Sequence, residues 1–312
     1  MIKTKLSKFL LIALMFNLSV PTTIFAQENS SDPEEIIVKG KVLYSDQVTA
    51  LKTPVPIIDV PQTLSIVTDE DIRKQGFRDL GDIVRYTPGV NTSQGEGHRD
   101  SVVFRGVRST ADFYLDGVRD DVQYYRSLYN LEQVEILRGP NALLFGRGGT
   151  GGIINRVTKK AVLDDAFGSF DMGADTFGAF DFAVDYNVQT GENSALRINF
   201  HSDTLENHRD YFDGDRYGFN PTLRVQISPQ TTLDLSYEHA DHERFIDRGV
   251  PTLNGEPVEA FEEIVFGDTD TNLTTLRADI YRANVSHEFS DTQKGNFVAP
   301  VSYTHLTLPT KA

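Results

Sequence analysis

Residues 131–155, LEQVEILRGPNALLFGRGGTGGIIN, decide which fold the rest of the chain can form. Val134 and Ile136 alternate with polar neighbours, which is the pattern of a short strand that ends before Gly139. A glycine-dense turn follows, and a second β-rich run begins at Ile153. Glycines at this density indicate a backbone that needs positive φ angles or lies very close to a neighbouring segment. Two interpretations compete: a nucleotide-binding loop and a tight turn between strands.

The nucleotide interpretation rests on a match to the dinucleotide fingerprint, Gly146-x-Gly148-x-x-Gly151. That motif works only when a helix follows, because the helix N-terminus holds the pyrophosphate. The residues that follow include Ile153 and Val157, whose branched side chains disfavour the start of a helix. No Gly-Lys-Ser/Thr sequence is present there either, as a phosphate loop would require. The turn is therefore predicted to join two strands.

Residues 1–26 have the features of a secretory signal peptide. Three lysines precede the apolar run FLLIALMFNLSV at 9–20, and cleavage is expected before Gln27. This apolar run is shorter than the roughly 20 residues that a membrane-spanning helix needs. We therefore expect an exported protein.

Composition and side-chain spacing exclude several classes of function. A formal net charge of −15 argues against nucleic acid as a partner. The absence of cysteine excludes disulfides, thiol catalysis and thiolate metal sites. His239 and His242 suggest a metal site, but strand alternation places them on opposite faces. No pairing of a nucleophile with a base is recognisable, so we predict no enzyme activity, no metal site and no cofactor.

The exported chain begins with a polar leader, residues 27–54. It contains one short β-prone stretch, Glu35-Ile36-Ile37-Val38. Such a stretch in a leader suits strand addition to the sheet edge of a partner. It is equally compatible with the first strand of the next domain.

Residues 55–160 predict a compact α+β domain of normal size. A strand at 63–68 leads into a helix at 69–75, with Thr68 or Asp69 as N-cap and Gly76 as its end. A second helix is predicted from Asp79 to about Pro88. Further strands are predicted at 102–105, 113–115, 134–137 and 153–158.

Residues 161–294 predict longer strands in which apolar and polar side chains alternate. Six are expected, at 167–175, 179–189, 194–202, 217–228, 231–240 and 277–289. A soluble sandwich would alternate too, but a tilted strand that crosses a bilayer needs about 9–11 residues, which these strands supply. Short turns alternate with long polar connections at 202–215 and 240–275, as in a transmembrane barrel.

Six strands cannot close around a domain of this size, and an open edge in lipid leaves backbone groups unpaired. The sequence therefore predicts the front part of a longer protein. Residues 295–312, GNFVAPVSYTHLTLPTKA, are expected to break the alternation and to supply no closing strand. Whether this tail is native is left open.

Several motifs in order give residues 33–294 a family likeness. They are DVPQT (59–63), YTPGV (86–90), FRG (104–106), YLDGVRD (114–120), the 131–155 string, RGVP (248–251) and LNG (253–255). The chain resembles the TonB-dependent outer-membrane siderophore receptors, most closely the catecholate (Fiu-type) group. The resemblance implies an α+β plug domain followed by the first strands of a transmembrane antiparallel β-barrel of about 22 strands.

The resemblance also implies partners and a division of labour. Glu35, Ile36, Ile37 and Val38 match the TonB box, which would bind TonB, energised by ExbB and ExbD. The sheet would face outer-membrane lipid. A ferric siderophore would bind outside, with its iron carried within the ligand. The same fold with cobalamin, haem or a glycan as cargo is an alternative, and a soluble exported β-domain that binds a small ligand is another.

A ferric catecholate is an anion with aromatic edges, so cationic and aromatic side chains suit it. The candidates from plug and barrel loops are Arg99, Arg108, Tyr124, Tyr125, Arg126, Arg244 and Arg248. For each arginine the alternative is an ion pair with a nearby acid, such as Asp100, Asp112 or Asp120. A second set is expected to hold the plug together or against the barrel wall: Arg105, Gly106, Glu135, Arg138, Gly139, Gly146, Gly148 and Gly151.

Overall fold

The computed structural model describes residues 48–50, 59, 61–93, 95–110, 112–139, 145, 149–290 and 293–307. The expected signal peptide, Glu35–Val38, Gly146 and Gly148 lie outside these residues. All the described residues belong to one compact unit, residues 43–312. No helix among them is long and apolar enough to cross a membrane.

The described chain is mostly strand. Its two α-helices are α1 (Asp69–Gln75) and α2 (Leu80–Arg85), and single 3₁₀ turns occupy Gly95–Gly97 and Glu259–Phe261. The first eight strands are β1 (Thr63–Thr68), β2 (Val90–Thr92), β3 (Val102–Phe104), β4 (Val107–Ser109), β5 (Phe113–Leu115), β6 (Val118–Arg119), β7 (Leu131–Arg138) and β8 (Gly152–Thr158). The others are β9 (Phe167–Ala174), β10 (Phe180–Gly191), β11 (Ser194–Glu206), β12 (Asp213–Ser228), β13 (Thr231–Phe245), β14 (Thr252–Leu253), β15 (Glu256–Pro257), β16 (Leu273–Ser290) and β17 (Gln293–Thr307).

Both helices begin at the predicted caps. The Thr68 hydroxyl accepts the Asp71 amide at 3.2 Å, and the Asp71 carboxylate accepts the Thr68 amide at 3.0 Å, which closes a capping box. Helix α1 ends at Gly76, which adopts the left-handed conformation at φ 65°. Helix α2 begins after Asp79 and ends at Arg85, earlier than expected from the proline that follows.

The plug domain contains a five-stranded sheet with the order β1-β7-β8-β5-β6 and a separate three-stranded sheet, β2-β3-β4. Among the described strands, only β5 and β8 pair in parallel. Two-residue turns at Arg105-Gly106 and Asp116-Gly117 have positive φ at both positions, which fits the right-handed twist of a tight hairpin. Arg105 therefore lies in a turn and not at the end of the predicted strand 102–105.

The glycine run lets two segments of the plug meet closely. A Cβ atom on Gly151 would lie 2.8 Å from Cβ of Phe104, and one on Gly152 would lie 2.6 Å from the Phe104 ring. Phe104 is fully buried in the main plug core. Strand β8 starts at Gly152, so a strand follows the turn, as predicted.

A second apolar cluster lies on the other face of the plug sheet and includes part of the leader. Val48 and Ala50 are buried there against Tyr114, Leu137 and Ile153. Residues 48–50, at the end of the predicted leader, therefore pack onto the plug sheet through their apolar side chains.

The long strands form a seven-stranded antiparallel sheet in which β9, β10, β11, β12, β13, β16 and β17 are successive neighbours. The six predicted strands are confirmed, although several extend further at the end that carries the long connections. The expectation that residues 295–312 break the alternation is wrong for residues 295–307, although the strand they form lies at an edge and does not close the sheet. Gln293–Thr307 pairs with β16, and Phe297, Val301 and Tyr303 do alternate towards one exposed face.

The sheet has an exposed apolar face and a buried polar face, the reverse of a water-soluble protein. Large apolar side chains are exposed on one face, among them Phe170, Met172, Tyr186, Tyr217, Phe219, Leu235 and Tyr281. The other face is polar and buried, with Asn187, Arg197, Asn199, His201, Asn220, Thr222 and Arg282. It contacts the plug through side-chain pairs such as Lys159–Asp185 at 3.0 Å and Asn130–Asn220 at 3.2 Å. A sheet of a transmembrane barrel has this arrangement, apolar towards lipid and polar towards the lumen.

Candidate ligand-binding surface

Connections of different length distinguish the two ends of the seven-stranded sheet. The turns after β10, β12 and β16 are short, whereas residues 207–212 and 246–272 form longer connections at the opposite end. In outer-membrane barrels the short turns are periplasmic and the longer loops extracellular. The end that carries 246–272 therefore corresponds to the extracellular end of such a barrel, and we call it the outward end.

Tyr125 and Arg244, two of the predicted ligand residues, stack on each other at this end. The Arg244 guanidinium lies 4.0 Å from the centre of the Tyr125 ring and 5.5 Å from that of Phe212. Its Nε is buried without a hydrogen-bond partner, and within the described chain no carboxylate pairs with it. A cation held by aromatic faces and lacking a counter-ion attracts an anion.

Glu96 brings Arg99 and Arg248 together. Its carboxylate lies 3.1 Å from the Arg99 guanidinium and 3.8 Å from that of Arg248. Arg99 also donates to the side chain of Gln123. Arg248 is largely exposed, so its pair with Glu96 is weak. The plug loop and the sheet loop therefore present two further guanidinium groups at the outward end.

Arg126 does not belong to the ligand surface. Its side chain is fully buried, between Asp100 at 3.3 Å and Asp120 at 2.9 Å, and its guanidinium covers the Phe113 ring at 4.1 Å. It also donates to backbone carbonyl oxygens, including that of Val122 at 2.6 Å. The prediction of a ligand contact therefore has no geometric support for Arg126, whose position fits the alternative, an ion pair with nearby acids.

Burial and the nearby charges shift the pKa values of the titratable groups around Arg126. Burial raises the pKa of Asp100 to about 6, although Arg126 opposes that shift. Burial also acts on Asp120, but the guanidinium groups of Arg126 and Arg156 outweigh it and lower the pKa of that carboxyl. Burial and the Asp120 charge raise the pKa of Tyr124 to about 12. Tyr124 is therefore a neutral phenol that donates to Asp120 at 3.2 Å.

Arg108 lies apart from this cluster. It is exposed on β4, and no contact among the described residues joins it to Tyr125 or Arg244. Its role as a ligand residue stays a prediction without geometric support.

The residues expected to hold the plug together lie inside it or at its turns. Arg138 donates to the carbonyl oxygen of Pro88 at 2.5 Å and to the Ser65 hydroxyl at 2.7 Å. Gly139 has φ 108° and its amide donates to the carbonyl oxygen of Gly151 at 2.8 Å. Gly106 has φ 91° in its hairpin turn. Glu135 is fully buried and accepts four hydrogen bonds from neutral donors.

Neither His98 nor His242 was predicted as a ligand residue, yet both line a small hollow with Tyr124, Tyr125 and Arg244. Burial lowers the pKa of His98, so its imidazole is neutral at pH 7. Phe212, the second aromatic contact of Arg244, was also missed. No local pattern could have revealed these residues, because they meet only when the plug loop packs against the sheet.

Comparison with known proteins identifies a plug domain and several related receptors. Residues 56–153 match the model of the TonB-dependent receptor plug domain. The probable TonB-dependent receptor BfrD of Bordetella pertussis is 35% identical over 205 residues, which cover 64% of this chain and 28% of BfrD. The catecholate siderophore receptor Fiu of Escherichia coli K12 is 29% identical over 239 residues, covering 73% of this chain and 31% of Fiu. Residues 56–153 therefore form a TonB-dependent receptor plug domain, and most of this chain is similar to receptors of that family.

A further receptor and a solved structure are similar to this chain as well. The ferrioxamine B receptor of Salmonella typhimurium LT2 is 30% identical over 288 residues, which cover 86% of this chain and 40% of that receptor. The crystal structure of Fiu in its open form superposes with a TM-score of 0.71 at 23% identity, covering 81% of this chain and 40% of the Fiu chain. This superposition shows the fold. The chain thus spans between 28% and 40% of the length of these TonB-dependent receptors.

Proposed function

We propose that the full-length protein is an outer-membrane receptor that takes up a ferric siderophore with energy from TonB, ExbB and ExbD. An exposed apolar face on long antiparallel strands supports a location in outer-membrane lipid. A plug that contacts the polar face of the same sheet supports transport through a gated lumen. The leader stretch Glu35–Val38 would be the strand that TonB captures.

The observation that carries the cargo proposal is the Arg244–Tyr125 stack at the outward end. A ferric tris-catecholate is anionic and presents aromatic edges, so it can interact with the uncompensated guanidinium and with the tyrosine ring. Arg99 and Arg248 add cationic groups on both sides of Glu96. We therefore infer a catecholate complex as the preferred cargo.

The names of the relatives support a siderophore and leave its class to experiment. Fiu is described as a catecholate siderophore receptor, whereas another relative is described as a receptor for ferrioxamine B. Cargo specificity therefore varies among proteins of comparable similarity to this chain.

The test is growth of a receptor-deficient Gram-negative strain that expresses the full-length gene, with ferric catecholate or ferrioxamine B as the sole iron source. We expect growth on the catecholate. Growth only on ferrioxamine B would refute the catecholate assignment, and growth on neither, with cobalamin or haem taken up instead, would refute the siderophore proposal.

A matched pair of variants tests the site. Arg244→Met removes the stacked cation and should weaken ferric catecholate binding about tenfold to a hundredfold, which corresponds to one hydrogen bond to a charged group, roughly 1.5–3 kcal/mol. Arg85→Met removes an exposed cation from helix α2 and should leave the affinity unchanged. Equal affinities of the two variants would contradict the proposed site.

A further inference from the structure

The side chain of Glu135 holds the leader by its backbone. One Glu135 oxygen accepts the amide of Thr49 and the other accepts the amide of Ala50, both at 2.8 Å. A carboxylate that accepts amide donors makes shorter and stronger hydrogen bonds than a neutral acceptor does. Through this contact a central strand of the plug, β7, is tied directly to the leader.

The charge of Glu135 is not used to neutralise a cation. Within the part of the chain that the structure describes, no lysine or arginine pairs with it, and its two other donors are the side-chain amides of Asn155 at 2.8 Å and Gln133 at 2.7 Å. Placing an unpaired carboxylate in the interior is costly unless polar groups satisfy it. Burial raises the pKa of the Glu135 carboxyl, and its four N–H donors, two of which belong to the leader, oppose that shift.

Apolar packing completes the attachment. Val48 and Ala50 are buried in the cluster that contains Leu137 and Ile153, on either side of Thr49, whose amide donates to Glu135. A Cβ atom on Gly117 would lie 3.8 Å from the Thr49 carbonyl oxygen, so the hairpin turn of β5 and β6 covers the leader as well. We call Glu135, Asn155 and residues 48–50 the leader clasp.

The leader clasp lies close in sequence to the stretch that TonB would capture. Residues 48–50 are the described residues nearest in sequence to Glu35–Val38, only ten positions after Val38. We propose that Glu135 is a positioning residue that keeps the leader docked on the plug in the resting protein and sets how readily the leader is released to the periplasm. The direction of release rests on the proposed function, whereas the docking itself does not.

The experiment measures trypsin cleavage after Lys52, next to the clasp, in the full-length protein within outer-membrane vesicles opened to expose their periplasmic side. Glu135→Gln preserves size but removes the charge and replaces one acceptor oxygen by an NH₂ group that faces the backbone donors. We expect cleavage after Lys52 to accelerate about tenfold to a hundredfold, the change that corresponds to one charge-assisted hydrogen bond.

Two controls separate release of the leader from general unfolding. Glu132→Gln removes the same charge from the same strand, but Glu132 is exposed and lies 3.6 Å from Arg197 of the sheet, so cleavage after Lys52 should not change. Cleavage after Lys74, exposed on helix α1, reports unfolding of the plug and should stay constant in Glu135→Gln.

Two outcomes would overturn the proposal: no acceleration after Lys52 in Glu135→Gln, or parallel acceleration after Lys52 and Lys74. The second outcome would make Glu135 an ordinary residue of the plug core. Neither measurement uses iron, a siderophore or TonB. A wild-type protein that binds no ferric chelate would therefore refute the transport proposal without affecting this comparison.

Discussion

Replacing Arg126 by methionine should lower the stability of the plug and should not directly change the affinity for the ligand. Methionine is similar in length and apolar, so it fills much of the same space without the guanidinium. Asp100 would then lose its only cationic contact within 4 Å in the described chain, and the carbonyl oxygen of Val122 would lose a donor. Asp120 would retain Arg156 at 2.6 Å.

The magnitude follows from these contacts. Removing one partner of a buried ion pair costs about 3–5 kcal/mol, because the remaining charge stays buried. Since Asp120 keeps a partner, we expect the lower end, about 3 kcal/mol. Arg126→Lys preserves the charge but offers three donors in place of a five-donor fork, so an intermediate loss is expected.

The assay is denaturant unfolding of the plug in the full-length protein, combined with ferric catecholate affinity measured under conditions where each variant is folded. Arg85→Met, at an exposed position of helix α2, is the control for removal of a cation. The reasoning would be refuted if Arg126→Met kept wild-type stability and lost affinity, because Arg126 would then contact the ligand.

Three further changes have defined outcomes. Gly151→Ala places a Cβ 2.8 Å from Cβ of Phe104 and should lower plug stability by about 1–3 kcal/mol in the same unfolding assay. An unchanged unfolding midpoint would show that the two segments can move apart without cost. Gly97 has a φ of 80°, and Gly97→Ala adds a Cβ 2.9 Å from the carbonyl carbon of Asp247. We therefore expect faster proteolysis of residues 246–272 and weaker ligand binding. Unaltered proteolysis would contradict this packing of Gly97 against Asp247. Burial raises the pKa of Asp100 to about 6. The native state therefore binds a proton at this carboxyl more tightly than the unfolded state does. As a result, the wild-type protein loses stability as the pH rises from about 4 to 6. Asp100→Asn does not titrate, so its stability relative to wild type should rise across that window, on the order of 2 kcal/mol, and level off above pH 7; a difference independent of pH would refute the assignment.

Local signals made much of the plug predictable. Thr68, Asp71 and Gly76 define helix α1 because a capping box and a left-handed C-cap depend on neighbouring residues alone. The strands of the long sheet were predictable for a similar reason, because apolar and polar side chains that alternate residue by residue indicate a strand with one apolar and one polar face. The ends of those strands were not predictable, because continued pairing beyond the alternating stretch is decided by the neighbouring strand.

The ligand surface was predictable only in part. Tyr125 and Arg244 are of residue types that suit an anionic aromatic ligand, and the structure stacks them. Arg126 has the same chemistry in the sequence, yet it is buried because Asp100, 26 residues earlier, packs against it. Attachment of residues 48–50 to Glu135 joins positions more than 80 apart, and such long-range contacts leave no local pattern.

The most direct test of the account is radioiron uptake by cells that express the full-length protein or its Ile37→Pro variant. Proline removes an amide donor from the stretch that TonB would capture by strand addition. The account predicts equal binding of the ferric siderophore at the cell surface and accumulation inside only the wild-type cells. Equal accumulation in both strains, or loss of surface binding in the variant, would contradict it.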